Sequence, residues 1–461
     1  MAASSILQVL PSVAKPAKRL GFKDKLKWTG VALVVFFLLG EVPLYGLVKG
    51  ATGSIFGDLQ TIMASSFGTI ITLGIGPIVM ASIVLQLLTG AGVFNFDMST
   101  PEGKATYQGA QKVMAMAFTL FEALLLVLSG ELPAIGGGGI VLILLTQLML
   151  GGIIIIYLDE IVSKWGFGSG IGLFIAAGVS RGIMVRGFSP LRDTGGTIVG
   201  AVPSFLNSLS QGSFQFIRMH QNDMLALSAT IVVFVVSMYA MSMKIEVPIS
   251  YGRVRGLSRR YPLPFVYASN MPVIFIAALL ANFRFWVAIL QRTGHNFLGY
   301  FDPSGAAHGL VYYILPYNSF AKDLILGAAG GQEFLHAAVY LLVMVGGAVM
   351  FAKLWVGISG MDSKGLADRL IQSGMRIPGF RSDKRVIEKV LERYVPYITI
   401  LGGAFVGALA AGAEFTGALG GGTGVLLTVG IIYKLYEEIA SEQVLEMHPA
   451  IRGFVGEGGL F

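Results

Sequence analysis

Apolar positions run through this chain in long blocks, not in the three- or two-residue alternation of a soluble helix or strand. A membrane-crossing helix needs about 20 predominantly apolar residues, and ten stretches approach or exceed that length: 28–47, 68–89, 113–129, 140–158, 170–185, 224–243, 268–290, 334–358, 394–413 and 418–440. Each is expected to be a helix. The first is not a cleaved signal peptide, because its basic flank begins far upstream and no small-x-small site follows it. A further, moderately apolar stretch, 54–65, is too short to cross. It reads either as an interfacial helix or as a re-entrant stopper, the latter tolerated at depth only where protein or a water-filled cavity surrounds it.

Composition turns this pattern into a class. Hydrophobic residues make up 54% of the 461 and charged residues only 13%, against about 25% charged in an average soluble domain. The chain is expected to be an all-α, multi-spanning membrane protein. It has no cysteine, which excludes disulfides, thiolate metal sites, iron–sulfur clusters and cysteine nucleophiles. Counted over alternating loops, 25 of the 33 Lys and Arg fall on the side of the N-terminus. That asymmetry places both termini in the cytoplasm, in agreement with an even number of spans.

The expected domains follow: a cytoplasmic segment 1–27, an N-terminal half 28–185, an external loop 186–223, a C-terminal half 224–440 and a cytoplasmic tail 441–461. Two basic cytoplasmic loops stand out, 244–264 and 359–393. Their charge reads either as a topology determinant beside anionic lipid or as a docking surface. The tight Tyr251-Gly252-Arg253-Val254-Arg255-Gly256 unit favours a turn presenting two guanidinium forks, which suit phosphate or carboxylate on a partner.

Ionisable groups at membrane depth mark pumps and transporters, and here they are few. Glu122 lies mid-way through the third span and Asn270 near the start of the seventh, whereas Glu41 is interfacial. Glu122 reads either as a carboxyl packed inside the bundle or as a polar latch between helices. The glycine-rich runs at 166–170 and 420–424 fit no dinucleotide, phosphate-loop or nucleophile-elbow pattern, and the five histidines are dispersed with none mid-span. No cofactor, metal or enzymatic activity is implied. Ile75 with Val79, and Ile171 with Ile175, are spaced to share a helix face, which by itself signifies packing. A secondary transporter, whose folds also use inverted repeats and broken helices, is the rival class.

Four motifs decide between them: Thr72-Leu73-Gly74-Ile75-Gly76-Pro77-Ile78-Val79, Gly166-Phe167-Gly168-Ser169-Gly170-Ile171-Gly172-Leu173, Ser269-Asn270-Met271-Pro272-Val273-Ile274 and Gly420-Gly421-Gly422-Thr423-Gly424-Val425-Leu426-Leu427. In this order, and with ten spans, the chain resembles the SecY family, the channel subunit of the Sec translocon, most closely its archaeal branch. The resemblance implies ten transmembrane helices in two inverted five-helix halves around a central hourglass pore. It implies an aliphatic pore ring of Ile75, Val79, Ile171, Ile175, Ile274 and Leu427. The stretch 54–65 then becomes a plug, with Ile55, Phe56, Leu59, Ile62 and Met63 as its apolar residues.

A lateral gate is expected where the second and third spans meet the seventh and eighth, with Glu122 and Asn270 as polar members. Met80 stands where relatives usually carry threonine. Arg253 and Arg255, with Arg381 in the second basic loop, match residues that dock ribosomal RNA. The implied partners are a SecE- or gamma-type subunit, a beta-type subunit, the ribosome, signal-bearing nascent polypeptides and membrane lipid. The implied setting is the cell (plasma) membrane. The implied function is passive conduction of unfolded secretory chains, with sideways release of hydrophobic segments into lipid.

Overall fold

A computed structural model of the chain describes residues 11–18, 20–47, 64–94, 96, 100–128, 132–192, 196–218, 222–247, 250–251, 261–268, 270–302, 306–372, 375–376 and 384–447. The N-terminal half holds α1 (Phe22–Glu41), α2 (Gly76–Gly90), α3 (Pro101–Leu128), α4 (Gly138–Trp165) and α5 (Gly170–Phe188), followed by the short α6 (Ala201–Ser210). Next come α7 (Met224–Ser242), β1 (Lys244–Val247), β2 (Ser250–Tyr251), β3 (Tyr261–Pro264) and α8 (Met271–Arg292). The strands β4 (Tyr300–Phe301) and β5 (Ala307–His308) precede α9 (Leu310–Ile314), α10 (Phe320–Ile325) and α11 (Gly331–Ile358). The chain ends with α12 (Ser363–Gln372), β6 (Met375–Arg376), α13 (Lys384–Leu391), α14 (Val395–Phe415) and α15 (Gly422–Met447).

Each of the ten apolar segments therefore contains a helix, and seven helices among the described residues are long and apolar enough to cross a membrane unaided. The other three differ for simple reasons. Charged residues lie within α1 and α15, and α2 has only 15 residues. The expectation of one continuous second helix over 68–89 is corrected here: 64–75 is a stack of turns and helix starts only at Gly76. Gly74 adopts φ +55°, a conformation that costs other residues energy, and Pro77 in the first turn has no N–H to bond backwards. Thr72 Oγ1 donates to the Thr69 carbonyl and accepts from the Thr69 N–H at 3.1 Å, satisfying the irregular backbone locally. The first helix also ends earlier than expected, at Glu41. Beyond it Leu44 N–H donates to Gly68 O and Ile70 N–H to Val42 O, so the chain on either side of 48–63 returns to one place.

The most extensive helix pair is α11 with α14, where Gly403 and Gly407 lie against Ala348 and Ala352. Small residues let backbones approach, which is how helices gain contact in a solvent as apolar as themselves. At the end of the bundle carrying the Lys/Arg-rich loops, here the basic end, β1 pairs antiparallel with β3 and β2 with β6. The second pairing joins the two basic loops. A separate core beneath them gathers Val247, Leu263, Leu370, Ile387, Leu391 and Ile398. Along the outside, residues 11–14 lie across α3 and α4. Lys112 Nζ donates to Pro11 O at 2.7 Å, Lys164 Nζ to Val13 O at 2.5 Å and Trp165 Nε1 to Ala14 O at 2.8 Å. Glu160 pairs with both lysines, at 2.8 and 2.6 Å.

Candidate functional site

The six aliphatics expected to form a ring come from four helices and meet in one hydrophobic cluster. Each sits near one end of its helix. Ile75 precedes α2 and Val79 follows one turn later; Ile171 and Ile175 occupy the opening turns of α5, Ile274 the first turn of α8, and Leu427 the second turn of α15. Ile75, Val79, Ile175 and Leu427 are buried, with Leu427 at 0% exposure, while Ile171 and Ile274 are half-buried.

Two cavities lie within the same bundle of helices. Toward the basic end, a volume of about 250 Å³ is lined by Val79, Ile171 and Ile274 together with Ser82, Asn270 and Lys434. Toward the other end, a volume of about 690 Å³ runs past Ala277, Ala281, Arg284 and Arg186. His336 lines that second cavity, its ring stacked on Tyr317 with centroids 4.7 Å apart and Nε2 donating to Leu315 O at 2.9 Å.

Polar contacts that the sequence reading missed position the α5 contribution. Asp159 of α4 accepts from the N–H of Ile171 at 2.8 Å. Thr29 of α1 accepts from Phe167 N–H at 3.0 Å, and Glu438 of α15 from Gly168 N–H at 3.3 Å. The glycine-rich run singled out in the sequence is thus the bent entry to α5, with Gly168 at φ +69°, held by three other helices. One more inter-helix tie, Lys25 to Glu442 at 2.7 Å, joins α1 to α15 nearby.

The seam between the halves lies where α2 packs on α8 and α11. At its basic end a Cβ at Gly90 would lie 3.4 Å from Ile358 Cδ1 and 4.0 Å from Leu354 Cδ2. Asn270 is buried at the start of α8, and Glu122 is half-buried in α3. The two form no bond with one another: among the described residues, Asn270 Oδ1 and Glu122 Oε1 both lack a hydrogen-bond partner. Asn270 instead donates through Nδ2 to Leu426 O and Leu427 O of α15, while α3 packs chiefly on α2 and α4. Met80 packs against the central cluster. Polar pairs that do form between α2 and α3 are Gln111 Nε2 to Ser82 Oγ, at 2.6 Å, and Tyr107 with Gln86.

Ile55, Phe56, Leu59, Ile62 and Met63 lie outside the described residues, as do Arg253, Arg255 and Arg381.

With the ring residues, the two cavities and the seam in place, residues 69–436 match the SecY family. The chain belongs to the SecY family. Residues 34–68 match the plug domain of Sec61p. The protein translocase subunit SecY of Methanothermobacter thermautotrophicus is 49% identical over 458 residues, 98% of each chain. That of Methanocaldococcus jannaschii is 45% identical over 452 residues, 97% of each. Among solved structures, a protein-conducting channel superposes with a TM-score of 0.83 at 44% identity, covering 97% of this chain and 98% of that one. Sec61 from a canine ribosome–channel complex of the endoplasmic reticulum reaches 0.80, also at 44% identity and the same coverage. As a SecY family member, the chain is a protein translocation channel subunit and not an enzyme.

Proposed function

We propose that Ile75, Val79, Ile171, Ile175, Ile274 and Leu427 form the resting seal of a passive pore for unfolded secretory chains. One observation carries this reading: the six aliphatics, from four helical segments, belong to one hydrophobic cluster, with Val79, Ile171 and Ile274 lining a cavity of about 250 Å³ and a second cavity of about 690 Å³ lying farther along α5 and α8. A narrow apolar constriction excludes ions by dewetting. Deformable aliphatic side chains also close around a passing chain of any sequence without binding it.

On this reading the ten helices span the cell membrane in two inverted halves, 28–185 and 224–440, with both termini cytoplasmic and the two cavities as the funnels of an hourglass. The basic end faces the cytoplasm, as the distribution of Lys and Arg requires. The segment around 54–65 plugs the external funnel, supported by the family match over 34–68. The α2–α8–α11 seam is the lateral gate through which hydrophobic segments leave for lipid. The ribosome supplies the driving force, docking on loops 244–264 and 359–393, a reading supported by the likeness to Sec61 in a canine ribosome–channel complex. A SecE- or gamma-type subunit and a beta-type subunit complete the assembly.

The test is conductance. Replacing Ile75 and Ile175 together by Asn wets the seal, and bilayers containing this variant are expected to show a raised resting ion current. An unchanged current, or an ion-coupled solute flux in vesicles holding only this protein, sinks the reading and returns the chain to the transporter class.

A further inference from the structure

We infer that Asn270 and Gly430 form a joint that sets the position of the ring residue Leu427 and ties it to helix α8. The inference rests on the ring assignment made above and adds a positioning pair to it.

Asn270 touches two members of the ring at once. Its own carbonyl accepts the first helical bond of α8, from Ile274 N–H at 3.1 Å. Its side-chain Nδ2 donates to the carbonyls of Leu426 and Leu427, each at 3.4 Å. Those carbonyls are used within α15 already, but a carbonyl oxygen has two lone pairs and accepts a second donor. One residue thus links the backbone of Ile274 in α8 to that of Leu427 in α15 through bonds of its own.

Gly430 creates the space for this contact. It lies one turn beyond Leu426 and Leu427 in α15, where a Cβ would overlap the Asn270 amide and come within 2.6 Å of Met241 Cε. Asn270 is 4% exposed and borders the cavity of about 250 Å³, the space into which a displaced amide would move. Any side chain at 430 would push it off both carbonyls. The seam adds the mechanical consequence, since α2 packs directly on α8. A movement of α8 away from α2 is carried through Asn270 to Leu427, and the seal loosens as the seam parts.

The experiment compares resting conductance in the reconstituted full-length protein. Gly430→Ala is a substitution that favours the helix itself, so a leak from it reports the lost contact and not a weakened α15. Interhelical polar contacts in membranes are modest, and losing this one is expected to raise the open–closed ratio roughly 3- to 30-fold. Asn270→Ala removes the amide without adding volume and is expected to leak to a similar degree, keeping the question answerable should the glycine variant fail to accumulate. The double variant decides. Acting through one joint, Gly430→Ala with Asn270→Ala conducts no more than the stronger single variant, whereas independent effects add. Wild-type resting current in either single variant, or additivity in the double, overturns the joint. If the Ile75/Ile175 variant leaks and these do not, the joint alone is wrong; if none leaks, the ring assignment falls with it.

Discussion

The Asp223 carboxylate meets Lys322 Nζ at 3.0 Å, with both side chains almost wholly out of solvent. The same carboxylate caps α7 by accepting from Ala226 N–H at 2.9 Å and takes the Arg218 N–H at 3.1 Å. The pair ties loop 186–223 to loop 291–333, and breaking one partner of a buried pair strands the other charge, a loss of about 3–5 kcal/mol. Lys322→Met is therefore expected to lower the thermal unfolding temperature of the detergent-purified protein markedly. Adding Asp223→Asn recovers most of the loss, because the amide keeps an acceptor for the cap and carries no charge. A double variant less stable than Lys322→Met alone removes the pair from this account. Sequence alone did not reveal the interaction. The two residues are about a hundred positions apart in loops without periodicity, and nothing in a single sequence pairs such charges. The proposed ring could be named from sequence for the opposite reason: five of its six residues stand inside the four long motifs, and Ile175 follows one of them by two positions. Asn270 was legible as a buried polar residue but not its partner, because Gly430 contributes by having no side chain.

Helix α2 shows the same division one scale up. The apolar content of 68–89 was evident, whereas its break at Gly76 depends on backbone angles that hydropathy does not record. Gly74 at φ +55° is the residue that allows the turn stack to swing into α2, and a side chain in that region costs roughly 1–2 kcal/mol. Gly74→Ala is expected to lower stability by about that amount in thermal unfolding, while Pro77→Ala, at a position whose N–H has no helical partner, changes it by less. Equal effects from the two would mean that the turn stack tolerates a helical path. The ends of the long helices α5, α7 and α11 were close to expectation, since charged or glycine-rich flanks mark them, whereas α4 runs past the expected end at 158 to Trp165. The β1–β3 and β2–β6 pairs and the core beneath them were not. They assemble residues from Val247 to Ile398, across two loops whose composition shows only that they are basic.

For the molecule as a whole, that pairing makes the two basic loops one platform. Arg253, Arg255 and Arg381 belong to those loops. If they dock on RNA phosphate, each lost contact lowers the slope of log affinity against log salt by about 0.7 to 1. Changing all three to Glu is expected to weaken ribosome binding steeply in a low-salt titration, yet to leave membrane insertion intact because the remaining Lys and Arg still set topology. Wild-type affinity in a correctly inserted variant would assign these arginines to lipid headgroups.

The strap formed by residues 11–14 carries a consequence in time. Its acceptors, Pro11 and Val13, are made before their lysine donors, which stand 101 and 151 positions further along the chain. At a synthesis rate of about 5–20 residues per second, the N-terminal segment waits on the order of ten seconds before α3 and α4 exist to receive it. Throughout that interval its carbonyls are open to any other donor, so the strap closes as a late step in building the N-terminal half.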